Sequence, residues 1–322
     1  MSSGPAAAPR RPLVNQTSVV ALALLGTILG QRWIQPLTDN ESLRAWCTMF
    51  VALVVQATPF LLGGVLLSAV ISRFLSERLL RRVLPRNPTL AVPVAGIAGF
   101  GLPGCECAAV PVSEGLMRRG VAPAAALTFL LAAPAVNPAV IVSTAVAFPN
   151  DHLMVVARVV ASLTTAIAVG WWCVARGDAL GMARRPDAHR HGGGLVAVAL
   201  HDFLHAGGFL VVGAMAAAAV NTFVPRAWVD SLAGQALLGV LALALFAFVA
   251  ALCSESDAFV AASLTAFSDT AKLTFLVVGP AMDIKLAAME SGQFGYRFAR
   301  QFVPVVLVVA VASAALVGRV LL

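Results

Sequence analysis

The 322 residues are 60% hydrophobic and only 11% charged, against roughly 25% charged in a soluble domain. So few polar groups cannot cover a water-facing surface, which excludes an ordinary soluble globular fold. The net charge of +7 sits in short arginine-bearing connections between apolar runs, a pattern that points to anionic lipid headgroups and not to nucleic acid.

Uncharged stretches cover 12–31, 45–72, 121–150, 159–175, 206–225, 231–254 and 303–318. Several reach the roughly 20 residues with which an apolar helix crosses a bilayer. The first follows Arg10-Arg11 and ends at Gln31-Arg32-Trp33, which resembles an interfacial anchor more than a signal-peptide cleavage site. It is expected as a first membrane helix, so that 1–44 forms an N-terminal tail and one span, with the N-terminus cytoplasmic.

A first transport unit is expected over 45–175. Its opening helix, 45–71, contains Pro59 and Gly63-Gly64 and predicts a kink or a close helix contact. The arginine-rich stretch 73–86 follows and is assigned to the cytoplasm. Segment 90–117 holds Pro93, Gly96, Gly99, Gly101, Pro103, Gly104 and Pro111, too many breakers for a continuous span. With Arg118-Arg119 closing it, a re-entrant hairpin is expected, its tip near Pro103–Glu106. Helix 121–148 is interrupted by Pro134 and Pro138, and helix 152–175 returns.

A basic linker, 176–194, is assigned to the cytoplasm, and a second unit is expected over 195–322. The two units share a pattern at a constant offset of 146: Cys107 falls on Cys253, Leu127–Leu130 on Leu273–Leu276, Pro134-Ala135 on Pro280-Ala281, and Asn137 on Asp283. The opening helices match as well, with Gln56-Ala57 on His205-Ala206, Phe60-Leu61 on Phe209-Leu210 and Gly64 on Gly213. Lys285, Arg297 and Arg300 are read as a cytoplasmic loop before the last helix. Counting crossings turns the second unit upside down relative to the first. The expected fold is an all-α polytopic membrane protein of roughly 8–10 membrane segments, built from inverted repeats with broken or re-entrant hairpins.

An ionisable group at bilayer depth is costly unless it is paired, protonated or facing a pathway. Glu106, Glu255, Asp257 and Asp283 qualify, and Asn137 joins them as the match of Asp283. Cys105, Cys107 and Cys253 add soft ligands suited to a thiophilic metal or metalloid, provided the Cys-x-Cys lies in a turn. They could equally form a thiol relay or pack as small apolar groups. Glu114, His201, Asp202 and His205 are candidates for proton coupling, with Arg118 as an alternative structural partner for Glu114. Thr128 and Thr274 either line a pathway or back-bond to their own helices. No nucleotide or phosphate-loop motif is present, so ATP would have to come through another polypeptide.

At Gly101-Leu102-Pro103-Gly104-Cys105-Glu106-Cys107, through Pro111–Leu116 to Ala133-Pro134-Ala135-Val136-Asn137-Pro138, the chain resembles the predicted permeases that include the organoarsenical-efflux permeases and the YraQ-like proteins. The resemblance implies a polytopic inner-membrane permease and no enzyme. It makes Cys105, Cys107 and Cys253 the candidate thiols for trivalent arsenic. The sharpest expectation is secondary-active, proton-coupled efflux of a thiophilic solute, with no cofactor. The alternatives are a transmembrane thiol–disulfide relay and a membrane subunit that needs a partner protein or a second copy.

Overall fold

The computed structural model describes residues 41–74, 85, 87–101, 104–180, 195–223 and 235–322. The chain divides into two units, Met1–Cys47 and Thr48–Leu322. The expected first membrane helix and the arginine-rich connections over 75–84 and 181–194 lie outside the described residues.

Twelve helices are described, and among the described residues there is no strand. In chain order they are α1 (Glu41–Phe74), α2 (Pro88–Ala98), α3 (Glu106–Arg118), α4 (Pro123–Val136), α5 (Pro138–Ala147) and α6 (His152–Arg176). Then come α7 (Leu195–Phe223), α8 (Ala236–Ala250), α9 (Asp257–Ser263), α10 (Asp269–Ala281), α11 (Ile284–Phe294) and α12 (Tyr296–Leu321). Among the described residues, five stretches are long and apolar enough to cross a membrane: Glu41–Ile71, Pro123–Ala147, His152–Arg176, Ala199–Thr222 and Tyr296–Leu321. Their outward faces carry large bare apolar side chains such as Val55, Leu204 and Val308, the surface that lipid covers.

The element order repeats. A long helix (α1, α7) leads to a hairpin (α2–α3, α8–α9), then to a broken pair (α4–α5, α10–α11), then to a long helix (α6, α12). Local chemistry explains the breaks. Pro138 cannot donate to α4, and the Asn137 side chain caps α5 by accepting from the Val140 N–H at 2.9 Å. At the matched place, Asp283 accepts from the Leu286 N–H and starts α11. The hairpin arms are short: α2 has 11 residues and α8 has 15, about 16 and 22 Å of rise against about 30 Å of hydrocarbon.

Packing follows the same duplication. α4 lies against α2, α3 and α6, and α10 lies against α8, α9 and α12. Between the repeats, α4 meets α10 and α6 meets α12. The half-helices exchange partners, since α5 packs on α9 of the other repeat and α11 packs on α3. Glycines allow the close approach of the opening helices. A Cβ on Gly64 would sit 2.6 Å from the Ala108 Cα of α3, and one on Gly213 would sit 2.7 Å from the Lys285 Cα of α11. One expectation is corrected here: Lys285 is no loop residue but the second residue of α11, and it is 1% exposed. Arg297 and Arg300, expected in the same loop, lie in the first two turns of α12, and a buried acid holds Lys285 inside.

Candidate functional site

Four helix N-termini converge between the repeats. Cys105 stands at the N-cap of α3, Asn137 at that of α5, Ser256 at that of α9 and Asp283 at that of α11. The positive ends of their helix dipoles favour negative charge at this point. Hydrogen bonds tie the breaks to the hairpin tips. Asn137 Nδ2 donates to the Gly104 carbonyl at 3.2 Å, and the Lys285 ammonium donates to the Ala251 carbonyl at 3.2 Å.

The thiols meet at this centre. The Cys105 sulfur lies beside those of Cys107 and Cys253. One ligand atom each from Cys105, Glu106 and Cys253 falls within 4.8 Å of the others, so both repeats contribute to one cluster. All three side chains are buried, and the cysteines are free thiols. Glu106 Oε1 accepts from Lys285 Nζ at 2.7 Å, while Glu106 Oε2 and Ser254 Oγ have no hydrogen-bond partner among the described residues. Two soft sulfurs and one unused carboxylate oxygen are a fitting donor set for a thiophilic cation or a trivalent metalloid.

The sequence comparisons agree with this architecture. Residues 42–319 match the family described as "Predicted permease". The chain belongs to this permease family. It is 33% identical over 293 residues to the UPF0718 protein YcgR of Bacillus subtilis, covering 87% of this chain and 99% of that protein. It is 29% identical over 283 residues to a Streptococcus mutans protein carrying the provisional name of two-component membrane permease complex subunit, covering 84% of this chain and 94% of that one. No solved structure matches.

Two buried ion pairs link the halves of the permease. Lys285 of the second repeat holds Glu106 of the first, with Asp283 Oδ2 3.5 Å away. Arg158 of the first repeat holds Asp257 of the second through two contacts of 2.9 Å, and also donates to the Ser254 carbonyl at 3.0 Å and to Thr144 Oγ1 at 2.7 Å. Glu106 and Asp257 are each the first residue of the helix that leaves a hairpin tip. Asp257, and not Glu255, is therefore the positional counterpart of Glu106, and Glu255 is only partly buried.

The remaining candidates lie away from this centre. Arg118 bonds Glu114 at 2.7 Å and Asp202 at 2.9 Å, which fastens the end of α3 to α7. His205 Nε2 lies 3.2 Å from the Gly292 carbonyl, and His201 stacks on His205 at 6.5 Å. Thr128 and Thr274 donate to the carbonyls of Ala124 and Thr270, each four residues back. Gly170 of α6 packs directly against the Thr128 hydroxyl. Sequence reasoning missed Arg158, Lys285, Ser254 and Glu290. A lone arginine one residue outside the uncharged run 159–175 was the available signal for Arg158.

Proposed function

We propose that the chain is a secondary-active permease of the bacterial inner membrane, with a cytoplasmic N-terminus, that exports a thiophilic solute such as a trivalent organoarsenical or a soft metal ion. The observation that carries this reading is the convergence of Cys105, Glu106 and Cys253 from two repeats on one buried spot. The solute is held there by both thiols, and the unpartnered Glu106 Oε2 completes the ligand set while Oε1 stays on Lys285. Lys285 keeps a counter-charge in the nearby Asp283. Because each repeat supplies a hairpin tip, rocking of one against the other separates the two thiols and weakens a shared ligand. The exchanged packing of α5 on α9 and α11 on α3 supports two gates, one on either side of the thiols, opening alternately.

Export of phenylarsenite from cells expressing the permease is the test. Cys105→Ser and Cys253→Ser should each reduce export by roughly tenfold or more, since losing one of two soft bonds removes most of the affinity. A Cys47→Ser protein, altered only at an exposed cysteine outside the cluster, should export normally. Equal export by all variants contradicts the thiol-ligand reading. The Streptococcus relative's name favours a second arrangement in which the same permease works with a partner subunit. In that case the purified chain alone would bind phenylarsenite without transporting it.

A further inference from the structure

Glu290 lies on α11 and is 0% exposed, and neither of its carboxylate oxygens has a hydrogen-bond partner among the described residues. It differs in this from Glu106, Asp257 and Asp283, whose nearest cations lie within 3.5 Å. A charge taken out of water with no counter-charge is strongly disfavoured, so such a group carries a proton or meets a cation that comes and goes. Among the described residues no cation pairs with it, and Arg297 and Arg300 of the adjoining α12 are exposed. Cys173 of α6 and Asp283 of its own helix are its ionisable neighbours. From α7, His205 lies against the Gly292 carbonyl, and the α3 acid Glu106 is engaged by Lys285.

Its place on the helix matters. Asp283 and Glu290 are seven residues apart, hence on one face of α11 and about 10 Å apart along its axis. Asp283 stands at the thiol centre. Glu290 lies five residues before Gly295, where α11 ends and α12 begins, and Cys173 is likewise three residues from the end of α6. One face of one half-helix thus carries an acid at the binding centre and a second acid close to one end of the bundle.

We propose that Glu290 is the proton-loading site of the permease, taking a proton from water at that end of the bundle and passing it by way of Asp283 to the thiolates as solute leaves. Each transfer moves one proton from carboxyl to carboxylate or thiolate and leaves Glu290 free to reload. The proposal rests on the secondary-active reading above and adds the residue that couples it.

The test has two arms. Dicyclohexylcarbodiimide adds covalently to protonated carboxyls in apolar surroundings. Mass spectrometry of the purified, membrane-reconstituted permease should find the adduct on Glu290, forming faster at acid than at alkaline pH and absent in Glu290→Gln. This arm needs no transported solute. In the second arm, proteoliposomes loaded with a pH-sensitive dye receive a phenylarsenite gradient. Wild type should show a solute-driven pH change. Glu290→Gln, isosteric with the protonated acid, should still bind phenylarsenite but lose that change by about tenfold or more, and Glu290→Asp should restore part of it. Labelling of Glu290 without phenylarsenite binding in wild type would sink the thiophilic substrate and keep the proton site. An unlabelled Glu290, or a Glu290→Gln protein with the wild-type pH change, overturns the proposal.

Discussion

Lys285 shows what a single side chain does here. Its ammonium is buried to 1% exposure and bonds Glu106, the Ala251 carbonyl and, at 3.5 Å, Asp283, so it joins the first hairpin, the second hairpin and the second broken helix. Removing it strands a buried carboxylate, which typically costs about 3–5 kcal/mol. Lys285→Ala should therefore lower the thermal unfolding midpoint sharply, and Lys285→Ala with Glu106→Gln should recover much of the loss. If the single and double variants melt alike, the pair is not what joins the tips. Ala251 is the other telling residue, the only non-glycine described with positive φ, at 50°. An L-residue there costs about 1–2 kcal/mol, an amount glycine does not incur. Ala251→Gly should hold or raise the melting temperature, whereas Ala251→Val should lower it.

At the scale of elements, the first hairpin and both broken pairs could be read in advance, because proline and glycine announce themselves. Pro134, Pro138 and Pro280, with Asn137 and Asp283 just after, lie where the helices are interrupted. The second hairpin was legible only through its match to the first, since it turns on an alanine in a left-handed conformation with no proline nearby. The ion pairs were also hidden. Arg158 and Asp257 are 99 positions apart, and Lys285 and Glu106 are 179 apart, so no local pattern connects them. The positive-inside rule even misled at Lys285, because it counts a cation without knowing that an acid awaits it. The helix contacts at Gly64 and Gly213 make a further prediction. A methyl group at either position meets backbone closer than 3 Å, so Gly64→Ala and Gly213→Ala should each destabilise by about 1–3 kcal/mol in a chemical-denaturation series. Gly63→Ala, which meets nothing within 4 Å, is the control and should be near neutral.

Across the whole molecule, the thiol cluster and the Lys285–Glu106 pair draw on both halves of the chain. The first half of the chain supplies Cys105, Cys107 and Glu106, and the second supplies Cys253 and the Lys285 that holds Glu106. Only the two together bring thiols, acid and counter-charge to one spot, and the long apolar helices wall it off from lipid. The offset of 146 paired Cys107 with Cys253 and Asn137 with Asp283, while the thiol that clusters with Cys253 and Glu106 is Cys105. The most direct measurement is the binding of phenylarsenite to the purified, reconstituted permease, with arsenic–sulfur coordination read by X-ray absorption. The account predicts one arsenical per chain bound by thiols from both repeats, with Cys105→Ser and Cys253→Ser each losing a sulfur from the coordination shell. An unchanged shell in Cys253→Ser would contradict it, because the second repeat would then contribute no thiol to the site.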